Sequence, residues 1–201
     1  MSSPSTGRAT SAHPSALAVE GWEPSRAARR IPAGVVLVAG LVAGEPVGMV
    51  VSTLTLASED PPLVGYLPRR ASRTHRRLDA AAVFGASVLG AGQAAVSHRF
   101  SNPGGAGFAG LGWHRSPGGA PLVDGCVSWL EFVRDAVVDV GDHLFVTGRI
   151  TAAGGGRGAA LVYQDGGFGR VVLAPGRRRQ ASAWSTAPSQ SSPAPARRAA
   201  S

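Results

Sequence analysis

The sequence has no lysine, one cysteine and few aromatic residues (6%), and each shortage removes a class of function. Without lysine there is no Gly-x-x-x-x-Gly-Lys phosphate loop, and neither a Gly-x-Ser-x-Gly nucleophile elbow nor His-Glu-x-x-His occurs. The lone Cys126 excludes an intramolecular disulfide and any multi-cysteine metal site, and it points to a reducing compartment. No neighbour in sequence activates it, so it reads as a packed residue and not a nucleophile. His13, His75, His98, His114 and His143 do not fall at metal-ligand spacing, and no structural metal is expected. The best apolar stretch, 31–44, is shorter than the ~20 residues of a membrane span. It is broken by Pro32, Gly34, Gly40 and Gly44. No apolar leader follows Arg8, so the expectation is a soluble cytoplasmic protein with no membrane partner.

What is present is apolar material for one core. The 201 residues are 44% hydrophobic and only 16% charged, which suits one folded domain. With 28 glycines and 15 prolines, short strands joined by turns are favoured over a helical bundle. The net charge of +8 comes wholly from arginine. Most of the excess sits in residues 174–201, which carry five arginines and no acid. The folded part is therefore only mildly basic, and a nucleic-acid partner is poorly supported. Three regions follow: a disordered tail over 1–24, a folded domain over 25–173, and a disordered Arg/Ser/Pro/Ala-rich tail over 174–201.

Apolar runs of strand length cover Val35–Ala39, Val47–Thr55, Leu63–Leu67, Val83–Leu89, Trp129–Val138, Leu144–Thr151, and Leu161 with Tyr163 followed by Val171–Leu173. Two helices are predicted, one capped by Ser72 and running to Ala82, the other from Ala91 to about Phe100. The pattern is a mainly β barrel or sandwich, with Gly104–Gly112 and Gly154–Gly158 as surface loops.

Three segments carry polar chemistry. Met49-Val50-Val51-Ser52-Thr53, followed by Ser58 and a double proline, takes a strand into a hydroxyl-rich rim where a flat polar ring can be hydrogen-bonded. The alternative is a solvent-facing strand end and a turn. Ser72-Arg73-Thr74 lies at a helix start, where unpaired N–H groups and the positive dipole end form a phosphate seat. Two readings compete with it, a solvated basic face and a nucleic-acid patch, and the scarcity of aromatics disfavours the patch because none is interleaved with these arginines. His143, after Gly141-Asp142, lies on the more polar side of its strand, and a plain surface histidine beside a turn remains equally open.

With Pro32-Ala33-Gly34-Val35, Gln93, Arg99-Phe100, Phe108-Ala109-Gly110 and Gly119-Ala120-Pro121-Leu122 in the same order, these motifs resemble the flavin reductase-like family over residues 27–173. The resemblance implies an antiparallel Greek-key split β-barrel with two or three short helices, a homodimer holding FMN, or FAD, near the subunit interface. It implies an NAD(P)H:flavin oxidoreductase, with NADH or NADPH as hydride donor, that supplies reduced flavin to a separate flavin-dependent monooxygenase. The Pro-Ala-Gly-Val start is similar to reductases of aromatic polyketide pathways, a secondary-metabolite setting such as antibiotic biosynthesis. By the same resemblance Met49, Val50, Val51, Ser52 and Thr53 lie beside the isoalloxazine, Ser58 belongs to the cofactor-binding set, Ser72, Arg73 and Thr74 contact the phosphate, and His143 helps seat the dinucleotide. No side chain acts as a catalytic acid or nucleophile in this reading.

The chain departs from the family pattern by carrying Val36 and Val50 where threonine is common, Thr53 where serine or asparagine is, and Leu56 where serine is. A lost neutral hydrogen bond is worth about 1 kcal/mol, so several facing the flavin would weaken its binding. These losses motivate the alternative of a non-catalytic flavin-binding or partner-binding protein on the same barrel.

Overall fold

The computed structural model describes residues 23–102 and 104–172; the two expected tails lie almost wholly outside them. The described elements are α1 (Pro24–Ala28), β1 (Ala33–Gly34), β2 (Val36–Val42), β3 (Glu45–Val51), β4 (Thr55–Glu59), β5 (Pro62–Tyr66), α2 (Arg73–Leu78), β6 (Phe84–Val88), α3 (Ala94–Ser101), β7 (Trp113–Arg115), β8 (Pro121–Val123), β9 (Ser128–Val140), β10 (His143–Gly155), β11 (Leu161–Gln164) and β12 (Gly167–Arg170).

Seven strands form one antiparallel sheet in the order β3-β2-β6-β9-β10-β5-β4. Laid flat, its edge strands would stand about 29 Å apart at ~4.8 Å per neighbour. Yet Ser52, Thr53 and Leu54 alone join β3 to β4, and the four Cα steps from Val51 to Thr55 reach about 14 Å at most. The sheet must therefore curl until its edges approach, which makes a barrel split between β3 and β4. This is the expected mainly β, antiparallel architecture with few helices.

β2 is buried on both faces. Val36 and Val38 point into the barrel with Val47, Val51, Val64, Tyr66, Phe84, Phe132 and Val146. Val35 and Leu37 face an outer layer made with Leu89, Val123 and Leu161, against which Val50, Phe100, Phe108 and Phe168 pack. Helix α2 closes one end of the barrel through the fully buried Leu78. Gly148 is required by close approach, since a Cβ there would lie 2.2 Å from the Phe132 ring. The described helices include none long and apolar enough to cross a membrane.

The structure corrects several sequence expectations. The run Val47–Thr55 is two strands, β3 and β4, because the chain changes sheet edge at Ser52–Leu54. Gly154 and Gly155 belong to β10 and not to a loop, since Gly154 lies flat against the Trp129 indole, where a Cβ would stand 2.5 Å from the ring. The last described strand is Gly167–Arg170, with Val171 and Val172 beyond it. Helix α2 stops at Leu78, short of Ala82, and α3 starts at Ala94, later than Ala91. Val36 is a core residue, 4% exposed, so a hydroxyl there would face the barrel interior.

Candidate functional site

Strand β3 is an edge of the sheet, paired with β2 on one side only. Along its outer side, alternate backbone N–H and C=O groups therefore have no strand neighbour, and these are the donors and acceptors a flat heteroaromatic ring needs. Its residues divide by face. Met49 and Val51 pack toward the barrel core, whereas Val50 packs toward the outer layer. Val50 and Ser52 line a groove of about 450 Å³ whose far wall is His98, Tyr163 and Phe168. His98 and Tyr163 both meet the Phe168 ring, at centroid separations of 5.2 and 5.4 Å. The sequence reading missed this aromatic wall. In the sequence His98 is only a histidine outside metal-ligand spacing, and the hairpin of β11 and β12 is distant in sequence from β3.

Beyond Ser52, the Thr53 hydroxyl accepts a hydrogen bond from the Leu67 N–H at 2.9 Å. That hydroxyl thus fastens the rim to the end of β5. The following residues, Pro68 to Arg70, lead directly into α2. There the Ser72 hydroxyl accepts from the His75 N–H at 3.1 Å, the N-cap arrangement the sequence predicts. The N–H groups of Arg73 and Thr74 are left without a carbonyl acceptor among the described residues. The Arg73 side chain is exposed beside them, as are Arg76 and Arg77.

The Gly-Asp-His motif is the turn between β9 and β10, with Gly141 at φ +57°, a conformation that favours glycine. The turn lies against the segment before α2. The Arg70 N–H donates to the Asp142 carbonyl and the Leu144 N–H to the Pro68 carbonyl, both at 3.0 Å, and Arg69 and His143 form an isolated antiparallel bridge. His143 Nδ1 lies 2.7 Å from Asp142 Oδ1. The hydrogen bond and charge of His143, with Arg69 adding to them, hold the Asp142 carboxyl below the usual carboxylate range. An ionised Asp142 accepts the Nδ1–H, leaving Nε2 as the ring atom for a ligand.

The structure therefore brings Ser52, Thr53, Ser72, Arg73, Thr74 and His143 to one end of the barrel, linked through residues 67–70. Ser58 is apart from them. It pairs with Leu63, at the opposite end of β5 from Leu67, about 13 Å away along the strand. Cys126 is half-buried, and burial pushes its thiol up, which suits an unreactive packed residue.

The family model for a "flavin reductase like domain" matches residues 28–171. The chain belongs to the flavin reductase-like family. It is 35% identical over 156 residues to the FMN reductase (NADH) SmoA of Agrobacterium fabrum, covering 76% of this chain and 89% of that protein. Among solved structures it is similar to the NADH:FAD oxidoreductase SgcE6 of Streptomyces globisporus C-1027 in complex with NAD and FAD fragments. That likeness has 30% identity, a TM-score of 0.69, and covers 74% of this chain and 90% of the other. It is also similar to BorF, the flavin reductase component of a bacterial two-component tryptophan halogenase, at 30% identity and TM-score 0.69, covering 75% and 97% of the two chains.

The residues present fit the group that this flavin reductase fold handles. The open backbone edge of β3 complements the polar rim of an isoalloxazine, the groove beside Val50 and Ser52 pairs an aromatic wall with the hydroxyls of Ser52, Ser97 and Ser101, and the free N–H groups at α2 suit a phosphate.

Proposed function

We propose that this flavin reductase works by placement, using the end of the barrel where the β3 edge, the start of α2 and the Gly141–His143 turn converge. The protein is an NAD(P)H:flavin oxidoreductase that supplies reduced flavin to a partner monooxygenase. The observation that carries the assignment of the site is the continuous chain of contacts from Thr53 through Leu67, Pro68 and Arg70 to Asp142, with Ser72 two residues further on. A flavin held there would supply the redox chemistry with the nicotinamide as hydride donor, so the protein itself needs no nucleophile or general acid.

In this reading the backbone of Val51 to Thr53 orients the ring and stabilises the charge of its reduced form. Met49 and Val51 contribute through backbone, since their side chains serve the core, whereas Val50 and Ser52 also offer side chains to the groove. Ser72, Arg73 and Thr74 hold the phosphate, and His143, aligned by Asp142, seats the nicotinamide nucleotide. Ser58 has no role within one chain, but a second subunit can bring its hairpin to a shared site. The choice of FMN with NADH follows the similarity to SmoA, and a secondary-metabolite setting follows that to SgcE6. A cytoplasmic location, where NAD(P)H is regenerated, belongs to the same proposal.

The direct test is NADH or NADPH oxidation at 340 nm with FMN present. A rate no greater than the flavin-only blank rejects the activity and leaves the non-catalytic alternative. His143→Ala is expected to raise KM for NADH about three- to tenfold, the effect of one lost polar contact, with KM for FMN unchanged. An unaltered NADH KM removes His143 from the site.

A homodimer is part of the proposal. The turn end of the β9–β10 hairpin leaves Val137, Val138 and Val140 about half exposed, and Leu56 on the sheet edge is 46% exposed. Half-exposed valines grouped on one hairpin are what an interface between copies covers. Val138→Arg is expected to shift the protein from dimer to monomer in light scattering coupled to size exclusion. A wild-type monomer overturns the dimer.

A further inference from the structure

His143 stands at the turn that joins β9 to β10. From Arg134 to Asp142 every residue is exposed, and Leu144 beside His143 is the nearest side chain that reaches the core, so within one chain the turn itself is held from outside the core. Its support is the segment before α2, joined to it by the two backbone hydrogen bonds described above and by one side chain in particular. Arg70 Nη2 donates to the Gly141 carbonyl at 3.0 Å and lies 3.0 Å from Asp139 Oδ1. It thus grips both the carbonyl and the carboxylate side of the turn. The neighbouring Arg69–Asp142 pair is looser, at 3.6 Å between groups about three-quarters exposed, and such pairs hold little.

We propose that Arg70 is a positioning residue for the nucleotide subsite: it staples the Asp139–His143 turn to the segment entering α2 and so sets His143 relative to the phosphate seat. This rests on the reading of His143 as a nucleotide contact and adds a residue that touches neither ligand. A guanidinium suits the task because one nitrogen can offer two N–H groups to two acceptors while the plane of the fork stays fixed. An ammonium at the end of a lysine stem keeps the charge but not that geometry. Without the staple the two backbone hydrogen bonds remain, so the tip stays folded but samples a wider range of positions, and the cost falls on the ligand that His143 meets.

The test compares Arg70→Met, Arg70→Lys, His143→Ala and the double variant Arg70→Met/His143→Ala in steady-state assays with FMN and NADH. Arg70→Met keeps the apolar stem and removes the donors. It is expected to raise KM for NADH about three- to fivefold, as befits a half-exposed ion pair reinforced by one hydrogen bond to a carbonyl, with KM for FMN within about twofold. Arg70→Lys should recover part of the loss, and the double variant should be no worse than about twofold from His143→Ala alone. If His143→Ala raises the NADH KM but Arg70→Met does not, the staple is wrong and the nucleotide subsite stands. If the two losses multiply in the double variant, Arg70 does not act through His143 and the proposal is overturned. If His143→Ala changes nothing, the nucleotide subsite itself is misplaced and the proposal falls with it.

Discussion

Replacing Ser72 and Arg73 together by alanine is expected to raise KM for FMN between about ten- and a hundredfold while leaving KM for riboflavin within about threefold. The range corresponds to losing charge-assisted hydrogen bonds worth about 1.5–3 kcal/mol to a phosphate dianion. The local geometry explains why both residues must go. The Ser72 hydroxyl already accepts from the His75 N–H, and its own O–H is what remains for a ligand, while Arg73 offers an exposed guanidinium beside two backbone N–H groups. Loss of the cap also costs α2 about 1 kcal/mol of stability. That loss touches the barrel through Leu78 and would affect all flavins equally, so the FMN-to-riboflavin ratio is the decisive reading. An equal rise for both flavins means that the phosphate is bound elsewhere.

Glu131→Ala is expected to lower stability by about 2–3 kcal/mol at neutral pH, or roughly 5–10 °C in melting temperature for a domain of this size. Glu131 lies at the back of the sheet, only 4% exposed, in the pairing of β9 with β6. Its carboxylate accepts from the Gly118 N–H at 2.5 Å and from the Thr151 hydroxyl at 2.7 Å. It thereby fastens the turn between β7 and β8 to the barrel. Burial works against its ionisation, but hydrogen bonds from Ser116, Thr151 and Gly118 outweigh that and hold its carboxyl below the usual carboxylate range. A carboxyl lowered in the folded state stabilises at pH values above its unfolded pKa, and that contribution disappears as pH falls through the folded value. The gap in melting temperature between wild type and variant should therefore be full at pH 7 and narrow in acid. A gap that stays constant down to pH 3 would show that the loss comes from packing and not from the carboxylate.

Burial opposes charge at two other interior groups. His75, 4% exposed on the buried face of α2, is pushed below the usual histidine range by desolvation, with the charge of Arg134 adding to it, and burial pushes Tyr66 up. Neither belongs to the rim. Their edge-on contact at 6.3 Å helps to place α2 against β5, one of the packing relations on which the phosphate seat depends.

Composition and local pattern determined a good deal. Apolar runs of strand length bounded by glycine and proline mark most of the long strands, and Ser72 marks the start of α2, because run length and capping are properties of a few adjacent residues. The order of motifs from Pro32 to His143 was enough to indicate the family. Only the tertiary structure decided which face of β3 each residue serves, and hence that Met49 and Val51 look into the barrel while Val50 and Ser52 look into the groove. The run Val47–Thr55 is apolar on both faces, so periodicity could not separate them. Only the curling of the sheet brought Thr53, Ser72 and His143 to one end, set Ser58 apart, and gave Arg70 and the aromatic wall of His98, Tyr163 and Phe168 their places. Those relations depend on contacts between residues up to more than a hundred positions apart, and no local pattern encodes a distance of that kind.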